Sequence, residues 1–381
     1  MDFSLFYFAD DGEAEGDRYR LLMEGARFAD EHGLTAVWTP ERHFHRFGGL
    51  FPNPSVTAAA VAAVTSRVQV RAGSVVLPLH HPVRVAEEWA MVDNLSHGRA
   101  GVALASGWNP RDFLFDRYAY ADRRERTVAA VETLRGLWRG EAFDGEPEYR
   151  VYPPPVQAEI PLWLTSSGNP GTFETAGHVG AGVLTNLLTQ SMDVLAENVA
   201  AYRRAYAASG RDGGGHVVLM LHTCLGEDLP SVERLVREPL RRYLMSALDL
   251  NLRSAEPSAG KTSSAGEASA AGKTSATGEA SSKRRPSAEE RARAWARSTF
   301  APAAVDGAYQ RYLTSDGLFG AVSDVLPVVE RVREAGVDEI ACLIDFGVPV
   351  DAALNGLVRL AELSGVVGGK EAQRSVEASS R

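Results

Sequence analysis

Three short stretches of this chain carry residue types that do chemistry. The run Trp38-Thr39-Pro40-Glu41-Arg42-His43-Phe44-His45 sets a carboxylate and an imidazole two residues apart, with an arginine between them. An imidazole titrates near neutral pH, so His43 is suited to move a proton and Glu41 to orient it or to hold a ligand. Glu41, His43 and His45 also read as metal ligands, but no further cluster at a matching spacing supports that use, and no metal is assigned. A solvated polar loop is the competing reading of the same residues.

The second stretch is Thr165-Ser166-Ser167-Gly168-Asn169-Pro170-Gly171-Thr172. Small residues let the backbone approach a ligand, and Ser and Thr hydroxyls donate to phosphate oxygens. Asn169 is placed to cap a helix that has Pro170 at its first position, and such a terminus favours an anion. An ordinary cap with nothing bound fits the same residues. The third stretch, Leu77-Pro78-Leu79-His80-His81-Pro82 with Asp93-Asn94-Leu95-Ser96-His97-Gly98-Arg99, reads as structural: the proline holds the histidines extended and Gly98 ends a helix.

These residues need elements to position them. Eight apolar runs of strand length occur at 3–8, 36–39, 68–76, 100–105, 162–166, 182–186, 217–225 and 339–346. Amphipathic segments lie between most of them, at 17–32, 55–65, 83–95, 123–138, 172–179 and 192–208. Strands apolar throughout are buried on both faces, and strict β-α alternation points to a parallel sheet. Eight such units predict a closed (β/α)8 TIM barrel. An open doubly wound sheet is the runner-up, but Asp10-Asp11-Gly12 stands where its glycine fingerprint is required.

In such a barrel the catalytic groups close the strands at their carboxyl ends. That singles out Asp10, Glu41 with His43, Gly73-Ser74, Ser106-Gly107-Trp108, Ser166 to Asn169, Asn186, His222 and Asp345. An anion loop after the fifth strand departs from the commoner barrel phosphate site, which follows strands seven and eight.

Residues 254–286 contain almost nothing that packs, and AGKTSSAGEASA is followed at once by AGKTSATGEASS. This is read as a disordered low-complexity insertion between strands seven and eight, flanked by helical patterns at 232–252 and 288–297. Its GKT triplets lack the first glycine of a phosphate-binding loop, because Ala255 and Glu267 occupy that place. The expected organisation is one barrel over 1–350, followed by a C-terminal helix and polar tail at 351–381 that frays beyond residue 368.

Composition narrows the class. With 381 residues, 45% hydrophobic and 23% charged, the chain has enough apolar content for a large core. Its net charge of −9 leaves no basic excess for nucleic acid or an anionic membrane. No run reaches the roughly 18 apolar residues of a spanning helix. The first residues lack a basic region, and only Cys224 and Cys342 are present, both in apolar runs. A cytoplasmic protein without disulfides is expected.

TPERHFHRFGG, VLPLHHPVRVAEEWAMVDNLSHGR, ALASGWNPRDF and LTSSGNPGTFETAGHVG, in this order, resemble the bacterial-luciferase-like flavin monooxygenases. They are most similar to the subgroup associated with nonribosomal-peptide and polyketide assembly lines. The resemblance covers about residues 1–250 and 299–350, including SDGLFGAVSDVLPVVERVREAGVDEIACLIDFG.

It implies a barrel that binds reduced FMN (FMNH2) at its carboxyl face and reacts it with O2 to a C4a-hydroperoxide. One oxygen atom then passes to an organic substrate. The positions matching the flavin pocket are Glu41, Gly73-Ser74 (where relatives have a non-prolyl cis peptide), Ala105, Ser106, Gly107 and Trp108. Ser166, Ser167, Gly168 and Thr172 match the phosphate loop, with Arg124 as the phosphate cation and Arg123 its competitor. His43 and Glu41 are the implied catalytic pair. In luciferase itself an arginine stands at the position of Ser106 and a functional histidine at that of Arg42, so aldehyde chemistry and light emission are not implied.

The favoured activity is N- or C-hydroxylation of an amino-acid or acyl substrate, free or tethered to a carrier protein. Baeyer–Villiger insertion with the same cofactor, a deazaflavin-dependent oxidoreductase and a non-catalytic flavin-binding barrel are the alternatives. No NAD(P)H motif is present, so a separate NAD(P)H:flavin reductase is the expected partner. A homodimer through 55–65 and 83–95 is the expected assembly.

Overall fold

Strands apolar on both faces need cover on both sides, and here they close on themselves. The computed structural model describes residues 1–8, 16–116, 118–254 and 300–379. Among them the strands are β1 (Asp2–Phe6), β2 (Ala36–Thr39), β3 (Gln69–Val76), β4 (Ala100–Ala105), β5 (Leu162–Ser166), β6 (Gly182–Asn186), β7 (Val217–Leu225), β8 (Leu318–Gly320) and β9 (Glu339–Leu343). Neighbours from β1 to β7 pair in sequence order, β7 pairs β9, and β9 pairs β1, every pairing parallel. The ring of eight is therefore closed, which excludes the open sheet. β8, absent from the sequence reading, lies outside the ring on the end of β7, where Thr223 is level with Leu318.

The helices are α1 (Arg20–His32), α2 (Pro54–Val64), α3 (Pro82–Ser96), α4 (Arg123–Trp138), α5 (Pro170–His178), α6 (Met192–Ala208), α7 (Leu229–Ser254), α8 (Phe300–Arg311), α9 (Val322–Glu334) and α10 (Val350–Ser379). Local chemistry sets several ends. Asn53 accepts the Ser55 and Val56 N–H groups at 2.9 and 3.2 Å ahead of Pro54, and Asn169 accepts the Gly171 N–H at 3.0 Å ahead of Pro170. The proposed insertion at 254–286, the helical pattern at 288–297 and Asp10 lie outside the described residues, apart from Ser254 at the end of α7. α10 runs to Ser379, over the segment read as a polar tail. No helix among the described residues is long and apolar enough to cross a membrane.

Register tells which end of the barrel is shut. Pairing sets Asp2 level with Glu339, Phe6 with Trp38 and Trp38 with Arg71. Toward the amino end Arg71 donates to Glu339 at 2.8 Å, with its guanidinium 4.8 and 4.7 Å from the Trp38 and Trp163 rings. Trp38 and Ser4 donate to the same carboxylate at 3.0 and 2.5 Å. Burial would raise the Glu339 carboxyl, but Arg71, His216 and these bonds hold it below its ordinary range. A paired and hydrogen-bonded charge of this kind fills the amino end. Chemistry is left to the carboxyl end.

Candidate active site

At the carboxyl end Glu41 is a hub. Its side chain is fully buried, and Oε1 accepts from His43 Nε2 at 2.8 Å and from His80 Nε2 at 2.7 Å. Oε2 accepts the Val76 N–H at 2.7 Å. Burial alone would raise this carboxyl, but the three bonds and the charge of His80 outweigh it and lower its pKa. For His80, burial pulls down while Glu41 and Glu88 pull up, and the net effect is upward. His80, read as structural from sequence, is therefore part of the cluster. Its spacing of 39 residues from Glu41 hid the contact, and the only available signal was its place directly beyond a strand end.

The loop after β2 also buries Arg42, which pairs with Asp112 and lies 4.9 Å from the half-exposed Trp108 ring. Asn109 donates to the same Asp112 at 2.8 Å. The Nε and Nη2 atoms of Arg42 have no protein partner. Outside them Phe44 and Phe115 stand exposed, 5.4 Å apart, with Phe115 edge-on to the His43 ring at 4.9 Å.

On the next strands the Gly73–Ser74 peptide is cis, and the register with β4 shifts there. A Cβ on Gly73 would lie 2.6 Å from Phe6 Cε2, so no larger residue fits. Ser74 Oγ and Thr165 Oγ1 are 2.6 Å apart, joining β3 to β5. Gly107 has φ 75°, and a Cβ there would sit 2.9 Å from both Phe113 and Val76.

Between β4, β5 and the starts of α4 and α5 lies a cavity of about 200 Å3, bordered by Ser106, Arg124, Thr165, Asn169, Gly171 and Thr172. The Gly171 and Thr172 N–H groups are spent on Asn169, so the donors left to the cavity are side chains. The side chains of Ser106, Arg124 and Thr172 border it without a hydrogen bond to any described residue. Arg123 is committed elsewhere, donating to the Gly107 and Tyr120 carbonyls at 3.0 and 2.7 Å.

Ser166, Ser167 and Gly168 do not line this cavity. Ser166 Oγ accepts the Asn169 N–H at 3.1 Å, Asn186 donates to Ser167 Oγ at 3.2 Å, and Gly168, φ 104°, backs onto Gln190. They build the turn that sets Asn169 and Thr172. Across the barrel His222 is buried among Tyr243, Tyr312 and Phe346, at 4.8, 4.9 and 5.6 Å between ring centres. Neither ring nitrogen has a partner, and burial pulls its pKa down to about 3. Asp345 receives the Phe8 N–H at 2.7 and 2.9 Å, which ties the end of β9 to β1.

Comparison with known proteins agrees with this architecture. The oxygenase component of the flavin-dependent trigonelline monooxygenase of Acinetobacter baylyi is 30% identical over 195 residues, 48% of this chain and 53% of that protein. The crystal structure of monooxygenase RslO1 from Streptomyces bottropensis superposes with TM-score 0.68 at 22% identity, covering 95% of this chain and 98% of that one. An F420-dependent secondary alcohol dehydrogenase superposes with TM-score 0.64 at 17% identity, covering 95% and 97%, so the fold by itself does not choose between flavin and deazaflavin. The sequence profile of the luciferase-like monooxygenases matches residues 1–339. The chain belongs to the luciferase-like monooxygenase family.

Proposed function

We propose that this chain is the oxygenase of a two-component system that takes reduced FMN from a separate NAD(P)H:flavin reductase. It hydroxylates nitrogen or carbon of an amino-acid or acyl substrate, free or tethered to a carrier protein, in natural-product biosynthesis. The observation that carries the reading is the cavity whose bordering donors Ser106, Arg124 and Thr172 have no protein partner. Side chains of this kind match a phosphate. The similar trigonelline enzyme is itself named as an oxygenase component, which supports a separate reductase.

Bound reduced FMN supplies the activation of O2. The residues of the chain supply the rest. Arg124, Ser106 and Thr172 hold the phosphate. Glu41 fixes His43 through Nε2, leaving Nδ1 to take or give a proton at the reacting centre. Trp108, Phe44 and Phe115 narrow the mouth against water.

Val56, Met91 and Leu95 stay exposed on α2 and α3, which supports a homodimer through those helices. A cytoplasmic setting suits the two free buried cysteines. The test is FMN binding by fluorescence quenching together with oxygen uptake when FMNH2 is supplied. Binding and substrate-stimulated uptake are expected. Tight deazaflavin binding with no FMN binding overturns the reading, and FMN binding without any product leaves only a carrier of flavin.

A further inference from the structure

A mouth that must exclude water still has to exchange protons with solvent, and the buried Glu41 cluster offers a route that avoids the mouth. His80 lies on the outer side of that cluster. With Leu77, Pro78, His81, Phe115 and Asp116 it borders a cleft of about 510 Å3 between the turn after β3 and the outer face of α4. Side-chain exposure along the line His80, Glu41, His43 is 28%, 0% and 11%. Solvent therefore reaches the first residue and not the second.

Both Nε2 atoms approach one carboxylate oxygen, at 2.7 and 2.8 Å. The charged groups around His80 are Glu41 on the inner side, Glu88 on α3, and Asp116, Arg126 and His81 around the cleft. Those around His43 are Glu41 and the Arg42–Asp112 pair.

We infer that His80, Glu41 and His43 form a proton relay between the turn after β3 and the loop after β2, joining the outer cleft to the reacting centre. The inference rests on the monooxygenase reading for what is protonated, but the linkage of the three groups does not. A proton taken at His43 Nδ1 is matched by loss of the Nε2 proton to Glu41 Oε1. His80 donates to Glu41 at rest, so it first exchanges its Nε2 proton for one on Nδ1 with solvent in the cleft; Glu41 then passes its proton to the bared Nε2, and His80 releases the Nδ1 proton into the cleft. Run in reverse, the same steps deliver a proton to the mouth. One proton enters and one leaves, with no change of oxidation state.

His80 is on this view a positioning and relay residue that touches no substrate. The test has two arms. Ring-nitrogen NMR of the flavin-free protein follows His43 titration in the native chain and in His80→Gln. A changed His43 titration is expected, and an unchanged one overturns the linkage whatever the enzyme does.

In the second arm FMNH2-dependent oxygen turnover is measured for His80→Ala with and without added imidazole, which the open cleft admits. A loss of about tenfold or more, recovered by imidazole, is expected. A loss that imidazole does not recover, while the variant keeps native thermal unfolding, overturns the relay. If the native chain shows no FMNH2-dependent turnover, the monooxygenase reading fails and the NMR arm still decides the linkage.

Discussion

Replacing Glu41 by Gln keeps the shape of the hub and removes its charge. Three donors reach this carboxylate, from His43, His80 and Val76. A hydrogen bond to a charged group contributes about 1.5–3 kcal/mol net and a neutral one about 0.5–1.5 kcal/mol, so the bonds from His43 and His80 weaken by about 1 kcal/mol each, while the amide NH2 faces the Val76 N–H and that bond is lost at about 2 kcal/mol. The three together cost about 4 kcal/mol. At about 2.1 cal/mol/K per residue, that corresponds in a chain of this size to a fall in Tm of about 5 °C.

The pH dependence is more diagnostic than the size. The Glu41 carboxyl is held below its ordinary 4.5, so its contribution is full above that value and is lost as pH falls through the lower folded value. His80 is raised above 6.5, so its contribution is full below 6.5 and is lost as pH rises through the higher folded value. Thermal unfolding of the native chain and of Glu41→Gln across a pH series should show a gap that is widest between these limits, closes as pH falls and narrows as pH rises. A gap that persists unchanged into acid, or no gap near neutral pH, refutes the hub.

Other perturbations follow from the same geometry. Arg124→Gln should weaken FMN binding about tenfold, the loss of one charge-assisted contact, and leave riboflavin binding unchanged; equal effects on both would remove Arg124 from the phosphate site. Asp112→Ala strands the buried Arg42 guanidinium and should cost roughly 3–5 kcal/mol in urea unfolding, whereas a cost under roughly 1 kcal/mol would show that the pair is dispensable. Gly107→Ala puts a Cβ 2.9 Å from Phe113 and Val76 at a φ of 75°, so it should cost roughly 1–3 kcal/mol in urea unfolding, and an unchanged transition would show that the loop gives way without strain. Burial lifts the Cys224 and Cys342 thiols to about 12 each, so neither should react with a thiol reagent at neutral pH until the chain unfolds.

The barrel was legible because its strands are apolar on both faces: each of the eight runs read from sequence became a strand of the ring. The start of α5 was legible where Asn169-Pro170 writes it. β8 was not, since three residues held on the end of β7 carry no periodicity. At the site, Glu41 and His43 were visible as near neighbours in sequence. Their partners were not, because His80 and Asp112 arrive from other loops, and nothing local in LHHP or in RDF marks a bond to the loop after β2. The serine-glycine turn was visible as an anion-type loop, but its Asn169 consumes the helix N–H groups, so the free donors belong to Ser106, Arg124 and Thr172. Long-range pairing is invisible to any reading of spacing alone.

The most direct measurement is a crystal structure of the chain soaked with FMN. Phosphorus is expected between Ser106, Arg124 and Thr172, with the ring system over the Gly73–Ser74 peptide and facing His43. Phosphorus bound anywhere else, or a flavin-free mouth at saturating FMN, contradicts the assignment.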